Sequence, residues 1–292
     1  MSHFTVAVIT DEEPTEEFLA ATLAPFHEFE CTGIDDQYVV DVDQTEDRRK
    51  EYEDADKDKY PTFVDFMRDY YEWKIVDHGV DPKSLGEETK WNYVLLDARG
   101  GVAKCVDRTN PNKQWDWYTV GGRWSGAFLL GNGTATDSAK ISDLDFDAMK
   151  EKTRREALQT WGKVIVALNA AGLQRPDCIT WKEFLDRDNL DIEEKRKQYH
   201  AQPFVKALRN CDATKWMSAD PFVKGKAAYV EEQMKYSFSS YACLVDGKWN
   251  AKGEMGWFGC SFDENDDWQE QFLKIVEAKK ESSWITNVDC HI

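Results

Sequence analysis

The chain has 292 residues, enough for one large domain or two modest ones. Its 41% hydrophobic and 13% aromatic content, with 12 Trp and 15 Phe, excludes an intrinsically disordered chain. The formal net charge of -18 is concentrated near the start, where residues 1–59 hold 18 acidic against 5 basic side chains, a local -13; a field of that sign repels nucleic-acid phosphates and attracts basic surfaces, which argues against direct nucleic-acid binding.

Residues 3–10 read as a first strand, because the short apolar run has no basic leader and ends at Asp11-Glu12-Glu13. Short helices are predicted at 14–23, 45–55 and 61–73, the last amphipathic through Phe63, Phe66, Met67 and Tyr70. Strands at 91–98 and 102–106 flank the turn Arg99-Gly100-Gly101, and a second, aromatic hairpin is predicted from 114–120 and 123–130, with Asn132-Gly133 as the next turn signal. From 145 to 171, Phe146, Met149, Leu158, Trp161, Ile165 and Leu168 keep helical spacing up to Gly172. Thr180-Trp-Lys-Glu183 matches a capping box, and Asp220-Pro221 an N-cap with proline at the first helical position, opening a helix toward Tyr236. Strands at 241–245 and 248–250 flank Asp246-Gly247, the dipeptide of a type I′ turn; 255–260 and 284–291 are further strands, and 266–280 is a last helix. The pattern predicts an α+β fold, with a mainly antiparallel sheet built from both chain ends (1–136 and 237–292) and a helical insertion at 137–236.

Three groups of residues are candidates for function. In Trp115-Asp-Trp-Tyr118 and Gly121-Gly-Arg-Trp-Ser-Gly126, aromatic rings, glycines and an arginine crowd together; strand alternation places Trp115 and Trp117 on one face and Tyr118 on the other, and Trp115, Trp117, Tyr118, Arg123 and Trp124 suit a nucleotide or other planar anion. The same residues also suit an aromatic hairpin packed in a core. The acidic residues Asp35, Asp36, Asp41 and Asp43 are candidates for docking onto a basic surface, or for a solvated acidic face. His27, Cys31, Cys290 and His291 are a weak candidate set for zinc or another divalent metal, if the chain ends meet, and Asp289 with His291 is a candidate dyad; a polar loop and a polar strand end are the alternatives.

No phosphate-binding loop, nucleophile elbow or His-Glu-x-x-His is present, so the expectation is a protein without a resident cofactor and more readily a binder than an enzyme. The seven cysteines at 31, 105, 178, 211, 243, 260 and 290 form no Cys-x-x-Cys pair and fit reduced thiols, and no segment is apolar enough for a membrane span; both point to the cytoplasm.

The chain resembles a family of uncharacterised bacteriophage and prophage proteins. The resemblance lies in Met1-Ser-His-Phe-Thr-Val6, Leu23-Ala-Pro-Phe-His-Glu-Phe-Glu-Cys-Thr-Gly33, the Trp-Gly-Arg segments above, Gly253-Glu-Met-Gly-Trp-Phe-Gly259 and Val288-Asp-Cys-His-Ile292, and does not extend to the helical middle. It implies a phage-encoded protein in the host cytoplasm. Acidic accessory phage proteins of this kind look like inhibitors of bacterial defence, which implies a host defence protein complex as partner, nucleic-acid mimicry by the acidic region, and assembly as a homo-oligomer.

Overall fold

The computed structural model describes residues 2–28, 37–187, 189–255, 260–279 and 281–292. The fold is α+β, and the chain divides into two compact units: 1–125 with 241–265 and 284–292, and 126–240 with 266–283. No described helix is long and apolar enough to cross a membrane.

The first unit contains, in chain order, β1 (His3–Thr10), α1 (Glu16–Leu23), β2 (Val40–Asp43), α2 (Thr45–Glu53), α3 (Phe63–Asp69), β3 (Lys74–Val76), β4 (Asn92–Leu96), β5 (Val102–Thr109), β6 (Trp117–Val120), β7 (Ala242–Val245), β8 (Lys248–Ala251) and β9 (Trp284–His291). One sheet has the order β8-β7-β1-β9-β6 and a second the order β2-β5-β4-β3. The two chain ends meet in the first sheet: β1 and β9 pair antiparallel over eight residues, from His3 opposite His291 to Thr10 opposite Trp284. β1 also pairs parallel with β7, so the sheet is mixed.

Alternation sends Phe4, Val6, Val8, Leu244, Val288 and Cys290 to one face of this sheet, where Leu19 and Leu23 of α1 and Trp115 complete a buried core. The β7–β8 turn is the type I′ turn predicted, with both Asp246 (φ 51°) and Gly247 (φ 69°) left-handed. The second sheet packs on α3, whose Thr62–Asp65 capping box starts the helix and whose Phe63, Phe66 and Met67 are buried.

The second unit is organised by α4 (Phe146–Ala170), with α5 (Trp181–Leu185), α6 (Ile192–Ala201), α7 (Pro203–Arg209), α8 (Lys226–Lys235) and α9 (Trp268–Glu277). Its core holds Trp161, Val164, Leu168, Phe184, Phe204 and Tyr229. The unit exceeds the predicted 137–236 insertion because α9 belongs to it: Trp268 Nε1 donates to Ser240 O at 2.7 Å, and Phe272 packs on Phe238 with ring centroids 5.3 Å apart.

Two predicted elements differ. No hairpin joins 114–120 to 123–130; Gly121 (φ 71°) and Gly122 (φ 51°) turn left-handed into a short 3₁₀ turn, and β6 pairs with β9 instead. Asp220 does not cap a long helix, because its carboxylate accepts from Trp181 N at 2.8 Å and Tyr199 Oη at 3.0 Å; residues 220–222 form a 3₁₀ turn and α8 starts only after Gly225.

Thiol chemistry checks this placement. Burial pushes the Cys105 thiol up to about 11 and the Cys290 thiol well above its ordinary value, whereas Cys260 is exposed. Iodoacetamide at pH 8 is therefore expected to label native Cys260 and to reach Cys105, Cys243 and Cys290 only after denaturation, read peptide by peptide in a mass spectrum; native labelling of Cys290 as fast as Cys260 would contradict the central position of β9.

Candidate functional site

The face of the first sheet opposite its apolar core is polar at one end. His3 on β1 lies opposite His291 on β9, which lies opposite Trp117 on β6. Diagonally across the β1–β9 pair, His3 Nδ1 is 2.8 Å from Asp289 Oδ1, with side-chain exposures of only 8% and 2%. His291 Nδ1 is 2.6 Å from Asp116 Oδ1, and the same two residues are tied through the backbone by Asp116 N donating to His291 O at 2.8 Å. The two imidazoles meet edge to face with centroids 5.0 Å apart. Trp117 stacks on His291 at 5.3 Å and 17° and turns its edge to His3 at 5.2 Å, while remaining 44% exposed.

Each carboxylate accepts, so each imidazole carries a proton on Nδ1, and the neutral form of the ring has its lone pair on Nε2. His291 Nε2 is buried without a hydrogen-bond partner among the described residues. A buried unpaired acceptor costs on the order of 1–3 kcal/mol, and a catalytic role is one of the reasons a protein bears that cost.

The Gly121-Gly122 pair builds the other side of Asp289. Its Oδ2 accepts the backbone N–H of Arg123 at 2.9 Å. A Cβ on Gly122 would stand 2.4 Å from that same oxygen, so only glycine lets the turn approach. Gly121 N donates to Asn287 O at 2.9 Å, and Asn287 Nδ2 donates to Trp124 O at 3.2 Å, so the whole turn is docked along β9.

The predicted ligand set divides between the two faces. Trp115 and Trp117 do not share a face: Trp115 precedes the strand, donates Nε1–H to Leu23 O at 3.2 Å and lies in the core, where Tyr118 packs against it edge-on at 5.1 Å. Burial raises the Tyr118 phenol above its ordinary value. Trp117, Arg123 and Trp124 are exposed.

Asp289 and His291 are not each other's partners, as the predicted dyad required, because strand neighbours two apart point the same way while the opposing chain supplies His3 and Asp116 within hydrogen-bond distance. Cys290 points to the apolar face, away from His291. His27 Nε2–H donates to Asp116 O at 2.8 Å, and its ring lies 4.2 Å from Trp115, so it braces the Asp116 peptide. Cys31, Asp35 and Asp36 lie outside the described residues. Among the described residues, no group of three or more His, Cys, Asp or Glu is arranged to hold a metal ion.

Asp41 accepts from Tyr93 Oη at 3.2 Å and Arg108 Nε at 3.1 Å, and Asp43 accepts from the Thr45 hydroxyl and, at 3.0 Å, from Thr45 N; the hydroxyl first, then the N–H, holds its carboxyl below the usual range. Both acidic side chains therefore have local structural partners.

Sequence reasoning missed His3 and Asp116. A signal for His3 existed: two eight-residue strands at opposite chain ends, paired antiparallel over their full length, set His3 against His291. Asp116 carried none, since its role depends on β6 pairing with β9. No protein-family model, no curated protein and no solved structure matches this chain.

Gly122→Ala is expected to lower stability by about 2–5 kcal/mol, from left-handed backbone strain plus overpacking against Asp289. Gly133→Ala, at φ 81° with nothing within 4 Å of its Cβ, carries the strain alone, about 1–2 kcal/mol. Urea unfolding of both variants measures the difference, and equal costs would contradict the close approach at Asp289.

Proposed function

We propose that the face bearing His3, Asp116, Trp117, Asp289 and His291 is an acid–base catalytic site. The observation that carries this reading is the buried, unpartnered Nε2 of an imidazole whose Nδ1 is held by a carboxylate, with a second carboxylate-held imidazole beside it. A carboxylate on Nδ1 fixes the tautomer and stabilises the imidazolium that forms when Nε2 takes a proton.

In the reaction this supports, one imidazole removes a proton from an attacking hydroxyl or water. The other, in its protonated form, delivers a proton to the leaving oxygen, so the proton count of the pair is unchanged over one turnover. An ester or phosphoester suits such a pair. Trp117 offers a stacking surface for a planar substrate portion, and exposed Arg123 on the adjoining turn offers a cation for its negative charge.

A screen of p-nitrophenyl esters, bis(p-nitrophenyl) phosphate and cyclic nucleotides tests the reading. Turnover of at least one class is expected, with His3→Ala and His291→Ala each lowering kcat by roughly 10²–10⁴. Silence across all classes, or turnover that survives both substitutions, would sink it.

The acidic N-terminal fifth supports a second reading, that of a phage-encoded inhibitor docking onto a basic surface of a host defence complex. Asp41 and Asp43 lie on β2, at the edge of the second sheet. Under this reading, Asp41→Lys with Asp43→Lys weakens capture of the target and removes its salt sensitivity, and unchanged capture by the doubly reversed protein counts against it.

A further inference from the structure

The helical unit carries a concavity of about 530 Å³ whose lining includes Trp181, Tyr199, His200, Arg209, Lys215 and Trp216. Its chemistry is the inverse of the chain's net charge, for Arg196 also lines it and basic side chains predominate. Trp216 is 91% exposed, so its ring adds nothing to the core and stands free for a planar ligand.

The cations are only loosely engaged. Arg196 pairs with Glu193 at 2.7 Å and Lys215 with Asp212 at 3.1 Å, both pairs in solvent, where an ion pair is weak and readily exchanged. Asp220, a carboxylate in the lining, is committed to Trp181 N and Tyr199 Oη.

His200 positions one of the cations. Its Nε2 is 3.2 Å from Arg209 Nη2. A guanidinium only donates, so Nε2 accepts and the imidazole proton sits on Nδ1. Burial, then the charges of Arg209 and Arg196, push the His200 pKa down. The Nδ1–H is buried and meets no acceptor among the described residues.

We propose that this pocket binds a nucleoside phosphate, with the base stacked on Trp216 and the phosphate held by Arg209 and Lys215. The site is separate from the His3/His291 face and does not depend on the catalytic reading.

Calorimetry on the full chain with AMP, adenosine and inorganic phosphate tests it. AMP is expected to bind, with adenosine and phosphate each at least about 10-fold weaker, because each retains only one half of the interaction. Trp216→Ala and Arg209→Ala are each expected to weaken AMP binding about 10-fold or more. Both side chains are exposed, so the thermal melts of these variants stay at the wild-type value. His291→Ala is expected to leave AMP binding unchanged, which separates this site from the first. Absence of AMP binding at millimolar concentration, or full affinity in both pocket variants, would overturn the proposal; phosphate binding as tightly as AMP would overturn the nucleoside assignment.

Discussion

The antiparallel pairing of β1 with β9 is the constraint on which the first unit rests. It joins residues 3–10 to residues 284–291, and closing a loop of that length costs on the order of 5 kcal/mol in chain entropy. Burial of Val6, Val8 and Val288, each at zero exposure, offsets it, since full burial of such a side chain contributes about 1.5–3 kcal/mol. The same register that buries these side chains sets His3 beside Asp289 and His291. Apolar packing on one face thus determines polar geometry on the other, because a one-residue slip would exchange the two sets.

The Trp-Gly-Arg segment is dense because three requirements fall on adjacent residues. Trp115 and Tyr118 fill the core, Gly121 and Gly122 bring a backbone N–H to Asp289, and Trp117, Arg123 and Trp124 remain at the surface. None of these roles substitutes for another. An aromatic cluster with no recognisable catalytic spacing therefore serves as the frame for two carboxylate-held imidazoles contributed from elsewhere in the chain.

In the helical unit, electrostatics is set locally. Asp220 leaves the helix-capping role that its proline neighbour suggested and instead ties α5 to α6 through Trp181 N and Tyr199 Oη. This removes a carboxylate from competition with Arg196, Arg209 and Lys215. The net charge of -18 therefore does not describe every surface of the molecule.

The sequence by itself determined the elements whose causes are local. The eight-residue strands at both chain ends, the Asp246-Gly247 turn, the Thr180–Glu183 capping box and the long helix from Phe146 follow from side-chain period, left-handed tolerance and capping chemistry within a few residues. Tertiary structure alone decided that β6 leaves its expected hairpin for β9, that Trp115 and Trp117 part to opposite faces, and that Asp289 holds His3 while His291 is held by Asp116. The reason is physical: strand alternation is written in each segment, but the choice of neighbour depends on register between segments more than 160 residues apart, and no local propensity encodes it.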